Sequence, residues 1–93
     1  MRIHNQRNLK AWPLDAAYIG RPSPYGNPFH IGRDGTRASV LDKYRFWLCE
    51  DPARVEALEP LWGRDLVCWC APFPCHGSII IEVLEAHMKD LLG

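Results

Sequence analysis

Leu66-Val67-Cys68-Trp69-Cys70 is an unbroken apolar run between two turn signals, Gly63-Arg64-Asp65 and Ala71-Pro72-Phe73-Pro74. A short continuous run of this kind, without alternation, reads as a strand buried on both faces at the centre of a parallel sheet. Parallel neighbours must be joined by crossovers, and the flanking segments have helical patterns to supply them. Cys75-His76-Gly77 opens a last helix, with Ile79, Ile80, Val83, Leu84, His87, Leu91 and Leu92 predicted along its buried side. Upstream, Thr36 is a predicted N-cap for a helix over 37–49, whose stripe is Val40, Leu41, Tyr44, Trp47 and Leu48. Asp51-Pro52 starts a shorter helix with Val55 and Leu58 inward, which stops before Pro60. Two brief strands, at 2–5 and 17–19, complete the set. The expected fold is α/β: a minimal Rossmann-like two-layer or three-layer sandwich with a small, mostly parallel sheet. With 93 residues it forms a single domain over 1–93.

Composition narrows the function classes. Apolar residues make up 47% and charged residues 24%, which excludes a disordered tail, a collagen-like chain and a coiled coil. The longest apolar stretches are far short of the roughly 20 residues of a membrane span. The opening Met1-Arg2-Ile3-His4-Asn5-Gln6-Arg7 lacks the apolar core of a secretory signal, so the expected location is cytoplasmic. Eleven basic residues balance eleven acidic ones, which argues against nonspecific nucleic-acid binding by bulk charge. The balance is uneven along the chain. Residues 1–37 carry six basic against two acidic groups, and residues 38–93 carry five against nine. The basic half suits a small anionic ligand; a solvated surface of mixed charge explains it equally well.

In open α/β sheets, ligands bind beyond the carboxyl ends of the strands. Two loops are predicted to leave such ends. The first is Gly20-Arg21-Pro22-Ser23-Pro24-Tyr25-Gly26-Asn27-Pro28-Phe29, whose three prolines and two glycines exclude both helix and ladder strand. Arg21 beside Gly20 is a clamp for phosphate. Tyr25, Phe29 and Trp69 are candidates for stacking on a ring, and Ser23 and Asn27 for bonding a ribose or base edge. A stiff turn whose aromatics cover a small core is the plain alternative, preferred for Phe29 taken alone. Neither G-x-G-x-x-G nor a P-loop motif occurs.

The second loop, 69–77, runs through Trp69, Cys70 and Pro72 into Cys75, His76 and Gly77. A helix beginning there aims backbone N–H groups and a positive dipole end at an anion. Gly77 is predicted to let a ligand approach the backbone. Cys75, with its thiol at a helix start, is a candidate nucleophile with His76 or His30 as base. The plain alternative makes Cys75 a small buried residue and His76 a polar cap. Cys68, Cys70, Cys75 and His76 also have the chemistry of a structural zinc set, although a C-x-C pair departs from the usual C-x₂₋₄-C spacing. No other cofactor is expected.

Tyr18-Ile19-Gly20-Arg21-Pro22, Gly26-Asn27-Pro28-Phe29, Asp34-Gly35-Thr36-Arg37, Cys68-Trp69-Cys70-Ala71-Pro72 and Pro74-Cys75-His76-Gly77 together resemble the domain-of-unknown-function 4326 family of small phage and bacterial proteins. The resemblance spans about Ile3 to Leu92. It implies the α/β fold, treats the two loops as one site, and points to a phage setting; it supplies no activity. Members of that family often carry an acid after C-H-G and a lysine before the second proline, where this chain has Ser78 and Phe73. The leading expectation is a pocket for a nucleotide or ADP-ribose-like molecule, formed by residues 20–29 and 69–77, which would sequester a host signalling nucleotide. An enzyme acting on a nucleotide or glycosidic bond through Cys75 is second, and a zinc-stabilised interaction module third. The apolar surplus also permits a homo-oligomer.

Overall fold

The computed structural model describes residues 1–8, 15–69 and 75–93. In chain order the elements are β1 (Ile3–Asn5), a 3-10 turn (Gln6–Asn8), β2 (Ala17–Tyr18), α1 (Arg37–Cys49), α2 (Pro52–Glu56), a second 3-10 turn (Glu59–Leu61), β3 (Leu66–Cys68) and α3 (His76–Leu92). The three strands form one sheet in the order β1-β3-β2, and both pairings are parallel. The last strand in sequence is therefore the middle one in space.

That placement follows from hydrophobicity. Leu66, Val67 and Cys68 are all buried, whereas β1 is only half-buried. A fully buried Leu or Val contributes about 1.5–3 kcal/mol over an exposed one, so the apolar run gains most at the centre. Ile3 and Ala17 flank Leu66 in register. On that face Ile19, Leu66 and Cys68 join Tyr44, Leu48, Leu58, Leu61, Ile79, Ile80 and Leu84 in the core. Val67 is buried on the opposite face.

The ends of the strands are tied by polar contacts the sequence supplies. Asp65, just before β3, accepts from the Arg2 backbone N–H at 3.1 Å and pairs with His4 Nε2 at 3.0 Å. The His4 hydrogen bond and the Arg2 N–H hold the Asp65 carboxyl below the usual carboxylate range. Beyond the short β2, Ile19 N–H still donates to the Val67 carbonyl, at 2.9 Å.

The helices start where their caps are. Thr36 accepts from the Ser39 N–H, Asp51 from Ala53, and Cys75 from Gly77. α1 buries Val40, Tyr44 and Leu48, the predicted stripe, with Leu41 and Trp47 half-buried. The helices contact one another and form a helical layer against the sheet. Gly77 packs closely between α3 and the sheet side: a Cβ there would lie 2.9 Å from Ile19 Cδ1 and 3.0 Å from Ile3 Cδ1. A side chain there would require Ile3 and Ile19 to shift.

Two expectations shift. The central strand ends at Cys68, with Trp69 in a bend, and Cys70 lies outside the described residues. Leu91 and Leu92, predicted on the buried side of α3, are 59% and 72% exposed. Seventeen residues of helix extend about 25 Å, far past three-residue strands, so the last turn has no sheet beneath it. Among the described residues, no helix is long and apolar enough to cross a membrane.

Candidate functional site

All three strands point the same way, so their carboxyl ends share one edge of the sheet. At that edge lies a cleft of about 310 Å³, lined by residues of both loops and of α1. Gly20, Arg21, Asn27 and Phe29 come from the first loop, and Trp69, Cys75 and His76 from the second, with Cys68 at the end of β3. Arg37, Val40 and Leu41 from the first turns of α1, and Ile31, complete the wall.

Tyr18 joins the two sides. Its ring lies over Gly20, where a Cβ would collide with it. Its hydroxyl donates to the Arg21 carbonyl at 2.8 Å and accepts from Trp69 Nε1 at 2.9 Å. Asn5 Nδ2 donates to the Trp69 carbonyl at 3.1 Å, and the Arg7 guanidinium stacks 5.6 Å from the Trp69 ring centre. Trp69 is thus held by three neighbours while remaining 48% exposed.

Arg21 is aimed rather than loose. Its Nη1 donates to His30 Nδ1 at 2.9 Å and to the Asn27 carbonyl at 3.4 Å. Gly26 makes room for the stem: a Cβ there would lie 2.9 Å from Arg21 Cγ. Arginine only donates, so His30 Nδ1 is the accepting nitrogen and the ring is neutral with its proton on Nε2. Its pKa is lowered by desolvation, then by the charges of Arg21 and Arg33, against Asp34. A histidine whose accepting nitrogen faces a guanidinium supports Arg21 in its place.

His76 is buried and also neutral. Its Nε2 donates to the Ile19 carbonyl at 2.7 Å, which leaves the Nδ1 lone pair toward Cys75 Sγ, 3.5 Å away. Burial pushes its pKa down; the Ile19 hydrogen bond opposes this, and the Arg21 charge adds to it. The ring meets Tyr44 edge-on at 5.4 Å between centres. Cys75 Sγ lies 3.3 Å from Cys68 Sγ and 3.4 Å from the Gly77 nitrogen, which donates to it. A thiol, a base facing it and a carbonyl orienting the base reproduce the logic of an activated nucleophile.

Several predicted site residues lie elsewhere. Tyr25 packs into the core and lines a second cavity with Tyr44, Trp47 and Leu58, on the far side of the loop. Ser23 Oγ accepts from the Tyr25 N–H at 3.3 Å and shapes the turn. Gly77 faces Ile3 and Ile19 rather than the cleft, because helix–sheet packing claims its bare Cα. Asn27 lines the cleft, yet its side chain is committed to structure: Oδ1 accepts from Phe29 N–H at 2.9 Å and Nδ2 donates to the Val40 carbonyl at 3.2 Å. Cys70 and Pro72 fall outside the described residues. So does one member of the considered zinc set, Cys70; among the described residues no group of three or more His, Cys, Asp or Glu is placed to hold a metal ion.

Sequence reasoning missed Arg37, Ile31, Val40 and Leu41. The available signal was Arg37 itself, a cation at the first position of a capped helix in the basic half of the chain. Val40 and Leu41 read as helix core, and they line both core and cleft.

Comparison with known proteins gives the family. The chain is 52% identical over 77 residues to an "Uncharacterized 12.4 kDa protein in nrdA-td intergenic region" of Enterobacteria phage T4, covering 77% of this chain and 69% of the relative. No solved structure matches it. The family model described as "Domain of unknown function (DUF4326)" matches residues 1–86, and with that span and that relative the chain belongs to the DUF4326 family.

Proposed function

We propose that the cleft binds a small anionic molecule carrying an aromatic ring, of the nucleotide or ADP-ribose class. One observation carries the reading: the described lining includes two guanidinium groups, Arg21 and Arg37, and no Asp or Glu. Carboxylates are common on the rest of the surface, so a cation-only cleft favours an anion. The N-terminal turns of α1 and α3 add backbone dipoles of the same sign. Phe29 and the half-exposed Trp69 offer ring faces, and Ile31, Val40 and Leu41 an apolar wall. The volume falls within the usual range for ligand pockets, about 300–1,000 Å³. With a phage protein as a relative, the role that fits a domain of this size is capture of a host signalling nucleotide.

Calorimetry against AMP, ADP, ADP-ribose and cyclic nucleotides, with adenosine as the uncharged control, tests this. The expected result is one-to-one binding of a phosphorylated member, no comparable binding of adenosine, and a loss of at least tenfold in Arg21→Ala. Absence of binding across the panel, or affinity unchanged in Arg21→Ala, refutes the reading.

The Cys75–His76 geometry favours a second reading, an enzyme that attacks a nucleotide or glycosidic bond with the Cys75 thiol. It ranks below binding because no carboxylate among the described lining residues is placed to assist a leaving group. Iodoacetamide alkylation of Cys75 as a function of pH, in wild type and His76→Gln, decides it. A Cys75 that reacts no faster than exposed Cys49, in a protein that stays folded, removes the nucleophile.

A further inference from the structure

Besides facing His76, Cys75 faces a second thiol. Cys68 ends the central strand and Cys75 caps α3, and their sulfurs lie 3.3 Å apart in the lining of the cleft. A disulfide requires about 2.05 Å, so the two need approach by only about an ångström, within reach of a side-chain rotation. We infer that Cys68 and Cys75 form a redox-active dithiol, oxidised by hydrogen peroxide entering the cleft to a disulfide that ties β3 to the start of α3.

The surroundings assign the order of events. Cys75 is the attacking sulfur, since the Gly77 N–H donates to it and His76 Nδ1 faces it as proton acceptor. Its sulfur takes one oxygen from the peroxide; the Cys75 proton, passed through His76, leaves with the displaced hydroxide as water. The Cys68 thiol then attacks the Cys75 sulfenic sulfur, the S–S bond forms, and the hydroxyl departs with the Cys68 proton as a second water. Two thiols and one peroxide give one disulfide and two waters. Cys49, at the end of α1, is exposed and has no place in the cleft lining, so it serves as an internal reference.

The test uses the full chain without nucleotide, so its outcome is independent of the ligand reading. The protein is treated with one equivalent of hydrogen peroxide, quenched with iodoacetamide and weighed intact. The expected product has lost two hydrogens and two alkylatable thiols, and dithiothreitol restores both. Chymotryptic cleavage after Trp69 separates Cys68 from Cys70 and Cys75, and fragmentation of the linked peptides assigns the partner. A Cys68–Cys75 link, formed also in Cys49→Ser and Cys70→Ser, is the expected result. Linkage through Cys70 or Cys49, or full alkylation of Cys68 and Cys75 after the peroxide is consumed, overturns the inference. Because the peptide assignment is made on wild type, it stands even where a buried Cys→Ser variant fails to fold.

Discussion

The two faces of the 20–29 loop use the same residue types to opposite ends. On the outer face, Arg21 stands beside Phe29 and Trp69 in the cleft, supported by a neutral histidine, with no Asp or Glu among the described lining residues. On the inner face, Arg54 stands beside Tyr25 and Trp47 in a second cavity of about 220 Å³. Arg54 stacks 4.4 Å from the Trp47 ring centre, donates to the Trp47 carbonyl at 2.7 Å, and pairs with Glu50 at 3.0 Å. Its charge and its donors are spent inside the fold. A cation among aromatics is therefore no sign of a site by itself; the sign is a cation whose local charge is unbalanced.

If that contrast is right, substitutions on the inner face should cost stability and leave binding alone, and those on the outer face the reverse. The largest expected effect is Tyr25→Ala, which removes a half-buried aromatic from the core and should lower unfolding free energy by about 3 kcal/mol in urea titrations. Arg21→Ala should leave the urea midpoint unchanged while weakening nucleotide affinity by roughly 30-fold, about 2 kcal/mol, by calorimetry. Arg54→Ala should cost about 1 kcal/mol of stability, through the lost stacking and carbonyl contact, with affinity intact. An affinity loss in Arg54→Ala as large as in Arg21→Ala would erase the distinction between the two faces. Gly26→Ala sharpens it: the added Cβ pushes on the Arg21 stem, and affinity should fall by about threefold, roughly 0.6 kcal/mol, in a protein that still folds.

The smallest expected effect is on pH dependence. His76 is held neutral by burial, so its folded pKa lies below that of the unfolded chain, near 6.5. As pH falls through that value the unfolded chain takes up a proton that the native protein refuses, and stability declines until the folded pKa is reached. The contribution is fully present above about pH 6.5. His76→Gln should flatten the fall in the urea midpoint between about pH 6.5 and 5, the window below the unfolded histidine pKa. An unchanged slope would show that His76 is not the group responsible.

Much of the fold was legible because it rests on local chemistry. Thr36 and Asp51 stand where their side chains cap helices, and the stripe through Val40, Tyr44 and Leu48 turned inward as its spacing required; at α3 the cap is Cys75 rather than His76, whose ring turns to the Ile19 carbonyl instead. The apolar run at Leu66 placed the central strand. The convergence of the two loops followed from parallel strands, which send all their carboxyl ends to one edge. Individual directions did not follow. Tyr25 and Phe29 are aromatics of one loop, and only the path of the turn through Gly26 and Asn27 sends one to the core and the other to the cleft. Gly77 was open to either partner until Ile3, from the opposite end of the chain, arrived against it.

By itself, then, the order of residues determined where the three helices, the proline-punctuated turns and the buried central strand would lie. Those outcomes depend on hydrophobic periodicity and capping, which act over a few residues. Only the tertiary structure decided that Arg21 would lean on His30, that Arg37 would enter the cleft, and that Cys68 and Cys75 would meet. Each of these joins groups set by helix–sheet packing and loop path, and packing distances are a property of the assembled layers rather than of any segment alone.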